Sequence, residues 1–548
     1  MLIQPGVLSY ERLFNDFVWD VPKHINIAEL ICDRHARTTP LGTAVIEDSE
    51  RGVRRFTFAA LKQLSDNLAC RLRKLGINRG DRVVIILGQD VEALVSHLAI
   101  FKLGAISVPI AGLYTGDGLS FRINDCAASL VITDRSGADK LNGLDLPSVV
   151  HRAVIHQQAE GHELDFDELL LDSGDELEPV QTEANQPALI FYTSGTTGNP
   201  KGALHGHRIV NGHLPCFQLG FEMAPKNADV FWTASDWSWL GSLGDVVFPA
   251  LYFGHPLVAS PGRFSVRRSY QLMQRHRVTC PYLATAVLRK MRAERSNEKL
   301  ELHVRAIMTG GEALAPEVLK WAQVIFNAPV NDEFGLTESN QTSVCCTSLY
   351  EAPANSVGRI TPGKRVCIID SEGQPLQPGV TGEIAIWYDD PTNMLGYWNQ
   401  PQKTADRIIN GWLRSGDRGM LDDQGYLYYY GRLDDLIMVN GLRVGPDEVE
   451  NQLAAHDKVA EAGVIGVPDE RSGEAIVAFV RLRDGIEADQ RLKDELQAFV
   501  KQRLAAHCYP KFITFVRDFS VTSTGKIRRA DLRKIYTEQF SGALAEPV

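Results

Sequence analysis

The segment from Tyr192 to Gly202, YTSGTTGNPKG, puts five hydroxyl side chains, three glycines and a lysine into eleven residues. Backbone N–H groups can surround a ligand where glycine permits close approach. Small hydroxyls add donors at low steric cost, and a lysine adds a mobile cation. Gly195, Gly198 and Gly202 supply the first, Thr193, Ser194, Thr196 and Thr197 the second, and Lys201 the third. That combination suits a polyphosphate. It is a poor match to the G-x-x-x-x-G-K-[ST] loop, because Pro200 precedes Lys201 and Gly202 follows it. On composition alone a flexible Ser/Thr/Gly linker is the competing reading.

The elements that must position this loop are legible around it. It directly follows the apolar run PALIFY (187–192), which places a ligand at the carboxyl edge of a sheet. Upstream, FTFAALKQLSDNLACRLRKLG (56–76) spaces Leu61, Leu64, Leu68 and Leu72 as a helix face, with Gly76 to end it. DRVVIIL (81–87) and SLVITD (129–134) read as buried strands. Helix and strand alternate in units of ~30 residues, which predicts parallel α/β layers. After about residue 355, RVCIID and GEIAIW are short strands punctuated by Gly and Pro, as in an antiparallel β unit. After residue 432, GPDEVENQLAAHDKV begins a helix with proline in its first turn. QRLKDELQAFVKQRLAAH then puts Leu492, Leu496, Val500 and Leu504 on one face. The expected fold class is α/β: a large N-terminal domain (1–432) of layered α/β subdomains with a small β unit at about 355–432, and a smaller α+β C-terminal domain (433–548).

Composition narrows the partners. The chain has 548 residues, 57 Lys plus Arg against 68 Asp plus Glu, and a net charge of −11. Such a balance disfavours general binding to nucleic acid. The basic run RRSYQLMQRHR (267–277) reads as a helix face. Nine scattered cysteines without a C-x-x-C pair read as reduced thiols of a cytoplasmic protein. The N-terminus lacks a basic region followed by an apolar stretch, and no segment approaches the ~20 apolar residues of a membrane span.

Five motifs occur in order: YTSGTTGNPKG, EFGLTE (333–338), SGD (415–417), GRLDDLIMVNGLRVGPDEVE (431–450) and TGKIRR (524–529). The set resembles that of the adenylate-forming superfamily, which includes acyl-CoA synthetases, carrier-protein-loading adenylation domains and beetle luciferases. The likeness runs from about residue 30 to 535 and is nearest to the acetyl- and medium-chain acyl-CoA synthetase branch. It implies ATP, Mg2+ and coenzyme A, a carboxylic acid substrate, and two half-reactions through an acyl-adenylate. By this resemblance Lys526 is the catalytic lysine that reaches the α-phosphate, Thr337 holds that phosphate and Glu338 holds the metal. Asp417 takes the ribose hydroxyls, while Arg432 and Arg443 meet the ribose or phosphate side. Gly310, Gly311, Glu312 and Ala313 pack on the adenine, with Asp332, Glu333 and Phe334 as the facing wall. Asp434 is the hinge of a mobile C-terminal domain, and Gly441 lines the tunnel for coenzyme A. Taken locally, Thr337-Glu338 also reads as a capped helix start, SGD as a β-turn, and TGKIRR as a solvated basic turn.

The acid is less legible. Short-chain members of the branch carry bulk where this chain has Gly310, Gly335, Leu240 and Gly241. The resemblance therefore implies a pocket deeper than acetate needs, for a medium-chain, cyclic or aromatic acid, with Trp237, Trp239, Leu240 and Gly241 near its walls. The tryptophans read equally well as core. A stand-alone enzyme that loads a carrier protein is the alternative function.

Overall fold

The computed structural model describes residues 9–156, 160–172, 174, 177–193, 199–294, 301–439, 442–469, 472–504, 508–521 and 526–540. The helix read at 56–76 spans Phe58–Lys74. Thr57 caps it by accepting from the Ala60 N–H, and it buries Leu61, Leu68 and Leu72. The chain then enters an eight-stranded sheet whose parallel strands include Arg82–Ile86, Ile106–Pro109, Leu130–Thr133 and Pro187–Thr193. These apolar runs are covered on both faces, as parallel strands require.

Pro187–Thr193 is followed by its own antiparallel neighbour, Lys201–Gly206, with Thr193 opposite Lys201. The strands on either side of the opening segment are therefore an antiparallel pair, whereas a Walker loop leads from a strand into a helix. This topology supports the exclusion made from Pro200 and Gly202.

A fourteen-stranded sheet carries the rest of the N-terminal region. Its parallel part includes Cys280–Tyr282, Ile307–Gly310 and Val330–Leu336. The chain then reverses, and Ser339–Val344 runs back antiparallel to Val330–Leu336. The strands after residue 355 are antiparallel, as expected, yet they do not form a detached sheet. Ser356–Ile360 pairs with Ser339–Val344, and Tyr426–Arg432 and Trp412–Leu421 extend the same ladder. The reversal at 337–338 presents an edge, and the later strands complete it.

The C-terminal region has its own five-stranded sheet, built around Val459–Asp469 and Gly473–Leu482. Helix Gln490–Arg503 covers it with Leu492, Leu496 and Val500, while Leu504 falls just beyond its end. Helix Pro446–Ala454 starts on its proline, with Asp447 and Glu448 in the first turn, where they complement the helix dipole. The turn Leu433–Asp435, which contains Asp434, links the last strand of the large sheet to Ile437–Val439 of the small one. No disulfide joins any of the nine cysteines, all of which are among the described residues. Among the described residues no helix is long and apolar enough to cross a membrane.

Candidate active site

Thr337 and Glu338 form the two-residue turn between strands Val330–Leu336 and Ser339–Val344. The dipeptide is thus a hairpin tip and not a helix start. Two backbone contacts fix it. His205 Nε2 donates to the Thr337 carbonyl at 2.9 Å, and the Glu338 carbonyl accepts from the Met394 N–H at 2.9 Å. Burial holds His205 down to about 4, so its ring is neutral at pH 7. The Glu338 carboxylate accepts from the Tyr397 hydroxyl and lies 3.9 Å from the Arg407 guanidinium. Lys201 sits 5.0 Å from the centre of the Tyr397 ring.

Asp417 belongs to the long strand Trp412–Leu421. SGD is therefore a kink within a strand, with Gly416 at φ +75° and a shift of register between Asp417 and Gly419. The shift places Asp417 opposite Arg432, whose guanidinium lies 3.5 Å from its carboxylate. Asp417 is 4% exposed, and burial raises its pKa to about 7. The charges of Arg432, Lys526 and Arg407 pull the other way. Lys201 is shifted downward, first by burial and then by repulsion from Arg407, with Lys403 and Arg432 adding to it. Cations gathered closely enough to add to the depression of Lys201 make a region that favours a polyanion. Lys526 is exposed, and its charge acts on Asp417 and also on Glu333.

Strand Ile307–Gly310 runs parallel to Val330–Leu336, with Gly310 beside Glu333. Gly311 follows at φ +91°, and a Cβ there would meet nothing within 4 Å. Ala313 is half-buried, and Glu312 is ion-paired to Arg289. Asp332, Glu333 and Phe334 cannot form one wall, because side chains alternate along a strand. Phe334 packs against Tyr429 with ring centres 5.5 Å apart, and Glu333 points to the opposite face.

The expected acyl pocket needs correction at two of its glycines. A side chain at Gly310 would run into the Glu333 carboxylate, and one at Gly335 into the Gln341 backbone and the Asn340 side chain. The room freed there is already filled. Gly241 differs: its nearest neighbours are the Asp245 carboxylate at 3.5 Å and the Tyr282 hydroxyl at 3.8 Å. Leu240 and Trp237 are buried in the main apolar core, and Trp239 is half-buried.

The family model described as "AMP-binding enzyme" matches residues 32–398, and "AMP-binding enzyme C-terminal domain" matches residues 448–526. The chain belongs to the AMP-binding enzyme family. An acetyl-coenzyme A synthetase of Bacillus subtilis (strain 168) is 32% identical over 544 residues, covering 96% of this chain and 94% of that protein. Among solved structures, an anthranilate CoA ligase in complex with anthranoyl-AMP matches with a TM-score of 0.86 at 25% identity, covering 96% of this chain and 99% of that one. A benzoate CoA ligase from Burkholderia xenovorans LB400 matches with a TM-score of 0.82 at 26% identity, covering 93% of this chain and 99% of that one. The protein is accordingly an acid–thiol ligase of the AMP-forming acyl-CoA synthetase type.

Within this AMP-binding enzyme, Ser194, Gly195, Thr196, Thr197, Gly198 and Gly441 lie outside the described residues. Arg443 is described for its backbone alone, in strand Leu442–Val444 opposite Met438. Tyr397, Arg407 and His205 were missed in the sequence. Tyr397 lies in the short strand Gly396–Tyr397, paired with Lys201–Gly206, and Arg407 follows helix Pro401–Ala405; neither carries a motif, and only the fold brings them to Glu338. Arg529, in TGKIRR, was not singled out either. It pairs with Asp435, Asp447 and Glu450, which fastens the linking turn to helix Pro446–Ala454.

Proposed function

We propose that this synthetase activates a medium-chain, cyclic or aromatic acid in preference to acetate, forms its acyl-AMP with release of pyrophosphate, and passes the acyl group to coenzyme A. The reacting carboxylate is ionised near pH 7, since such acids have pKa values of about 4–5, so no base is required for the first step. The difficulty is bringing an anion to a polyphosphate, and the cations gathered around Glu338 and Asp417 answer it. Asp417 has two carboxylate oxygens for the two ribose hydroxyls. Glu338 and the Thr337 hydroxyl are hard oxygen donors of the kind that suit Mg2+, which neutralises phosphate charge when bound. Coenzyme A is the favoured acceptor over a carrier protein because the similar proteins are named for it.

The observation that carries the size of the acid is Gly241, where the wall has no side chain and its neighbours stand at ordinary contact distance. The solved structures named for anthranilate and benzoate support the same reading. Acetate is the second reading, favoured by the filled space at Gly310 and Gly335 and by the relative named acetyl-coenzyme A synthetase. Pyrophosphate release measured over a panel from acetate to benzoate and octanoate, with and without coenzyme A, separates the two. The larger acids are expected to lead in kcat/KM, and acetate in first place would overturn the size reading. In Gly241→Trp the added ring fills the wall. The larger acids are expected to lose on the order of 10²-fold in kcat/KM while acetate changes little, the size of effect a pocket reaches by steric exclusion.

A further inference from the structure

Two carboxyl groups lie side by side at the acyl end of the site, and the activation chemistry uses neither. Asp245 is 1% exposed and comes from the segment after Leu240 and Gly241. Glu333 is 6% exposed and comes from the strand that ends at the Thr337–Glu338 turn. Tyr282 joins them: its hydroxyl donates to Glu333 Oε1 at 3.3 Å and stands 3.8 Å from the Cβ position of Gly241. Asp245 Oδ2 is 3.5 Å from that same position. Asp245 and Tyr282 therefore lie at the Gly241 wall, and Glu333, whose carboxylate lies against Gly310, joins them through Tyr282.

Their hydrogen bonding is incomplete. Asp245 Oδ1 accepts from the Asn340 amide, but Asp245 Oδ2 has no partner among the described residues. Glu333 Oε2 has none either. A cationic histidine does not compensate. His213 lies 3.6 Å from Asp245, but its Nδ1 donates to the Ile209 carbonyl at 2.6 Å and its Nε2 accepts from Asn340 at 3.1 Å. That pattern is the neutral tautomer, and burial holds His213 down to about 3. Buried acceptors without donors are costly, and two like charges together are more so. Burial and the charge of Glu333 raise Asp245 well above the carboxylate range, and burial lifts Glu333 to about 7.

We infer that Asp245 and Glu333 are the specificity pair for a carboxylic acid that carries an amino group, held as its ammonium between Asp245 Oδ2 and Glu333 Oε2. An ammonium offers three donors and one positive charge, so it satisfies both free oxygens and removes the repulsion between the carboxyls. A hydroxyl would donate to one oxygen only, and an alkyl terminus would leave both unpaired.

The inference rests on the acyl-CoA synthetase reading, and the test separates the two. Acyl-CoA formation is measured with full-length enzyme on matched acids: 4-aminobutanoate, 6-aminohexanoate and 4-aminobenzoate, each beside its methyl and hydroxyl analogue. The amino member of at least one set is expected to exceed both analogues in kcat/KM by on the order of 10²-fold or more, as for sites built to pair a substrate N–H. Asp245→Asn should erase most of that preference through KM, while the methyl analogues hold or gain. Methyl or hydroxyl analogues favoured in every set by the wild-type enzyme would overturn the pair's role and leave the synthetase reading intact. Activity with no acid at all would overturn both. The wild-type comparison decides the matter even if a variant fails to fold.

Discussion

Lys526→Ala is expected to lose acyl-adenylate formation by on the order of 10²–10³-fold in kcat or more, while it keeps thioester formation from supplied acyl-adenylate. The reasoning starts from charge. The first half-reaction brings a carboxylate to the α-phosphate, and its barrier is repulsion between anions rather than proton transfer. A cation that reaches both partners is the most effective single group. The charge of Lys526 acts on Asp417, opposite Arg432, and on Glu333 at the acyl end. A lysine whose charge reaches both flanks is proposed to serve the α-phosphate between them. Lys201 is less suited, because it is packed beside Tyr397 and already opposed by Arg407. The second half-reaction is attack of a thiol on the acyl carbonyl, with no displacement at a polyphosphate, so it is expected not to need Lys526. Pyrophosphate release and coenzyme A acylation are therefore assayed separately. Equal loss of both steps would count against a lysine that serves the first alone, and against the hinge at Asp434 that is proposed to carry it away.

Much of this was open to the sequence, for reasons that differ by residue. The helix Phe58–Lys74 and the strands Arg82–Ile86 and Leu130–Thr133 announce themselves because their apolar spacing is local. The ordered motifs placed Thr337, Glu338, Asp417 and Lys526, and the fold brings these four toward one region. Local pattern misjudged their conformations. A hydroxyl followed by an acid reads as a helix cap, yet Thr337-Glu338 turns a hairpin, because Val330–Leu336 and Ser339–Val344 pair on either side. Ser-Gly-Asp reads as a turn, yet Gly416 kinks a strand whose two neighbours hold it in the sheet. The pocket glycines show a different limit. An absent side chain means space only if nothing else moves in, and at Gly310 it is Glu333, a neighbour across the ladder, that does so. Such partners, like Tyr397 beside Glu338 or Asn340 beside Asp245, are set by tertiary contact and leave no periodic trace.

Asp417→Asn tests the ribose site and is expected to move binding and stability in opposite directions. The carboxylate must be ionised to accept two hydroxyl hydrogen bonds, and burial raises it from an ordinary 3.8 to about 7. In the wild-type enzyme, AMP affinity should hold above pH 7 and fall by about tenfold per pH unit below it, toward a plateau. In Asp417→Asn it should be weak and flat across the range. Stability follows the sign of the same shift. A carboxyl whose folded value is raised favours the folded state below its unfolded value, and that advantage is lost as pH climbs from 3.8 through about 7. Above pH 7 the ionised, buried Asp417 therefore costs up to ~4 kcal/mol relative to the unfolded chain. Asparagine carries no such charge, although it weakens the pairing with Arg432 and loses the attraction of Arg407. The nucleotide-free variant should gain in melting temperature over wild type between pH 5 and pH 8. A difference in melting temperature that stays constant with pH would show that Asp417 is not held near neutrality by burial. A gain in stability together with a loss of AMP binding would mean that the folded chain bears the cost of a buried carboxylate that nucleotide binding requires.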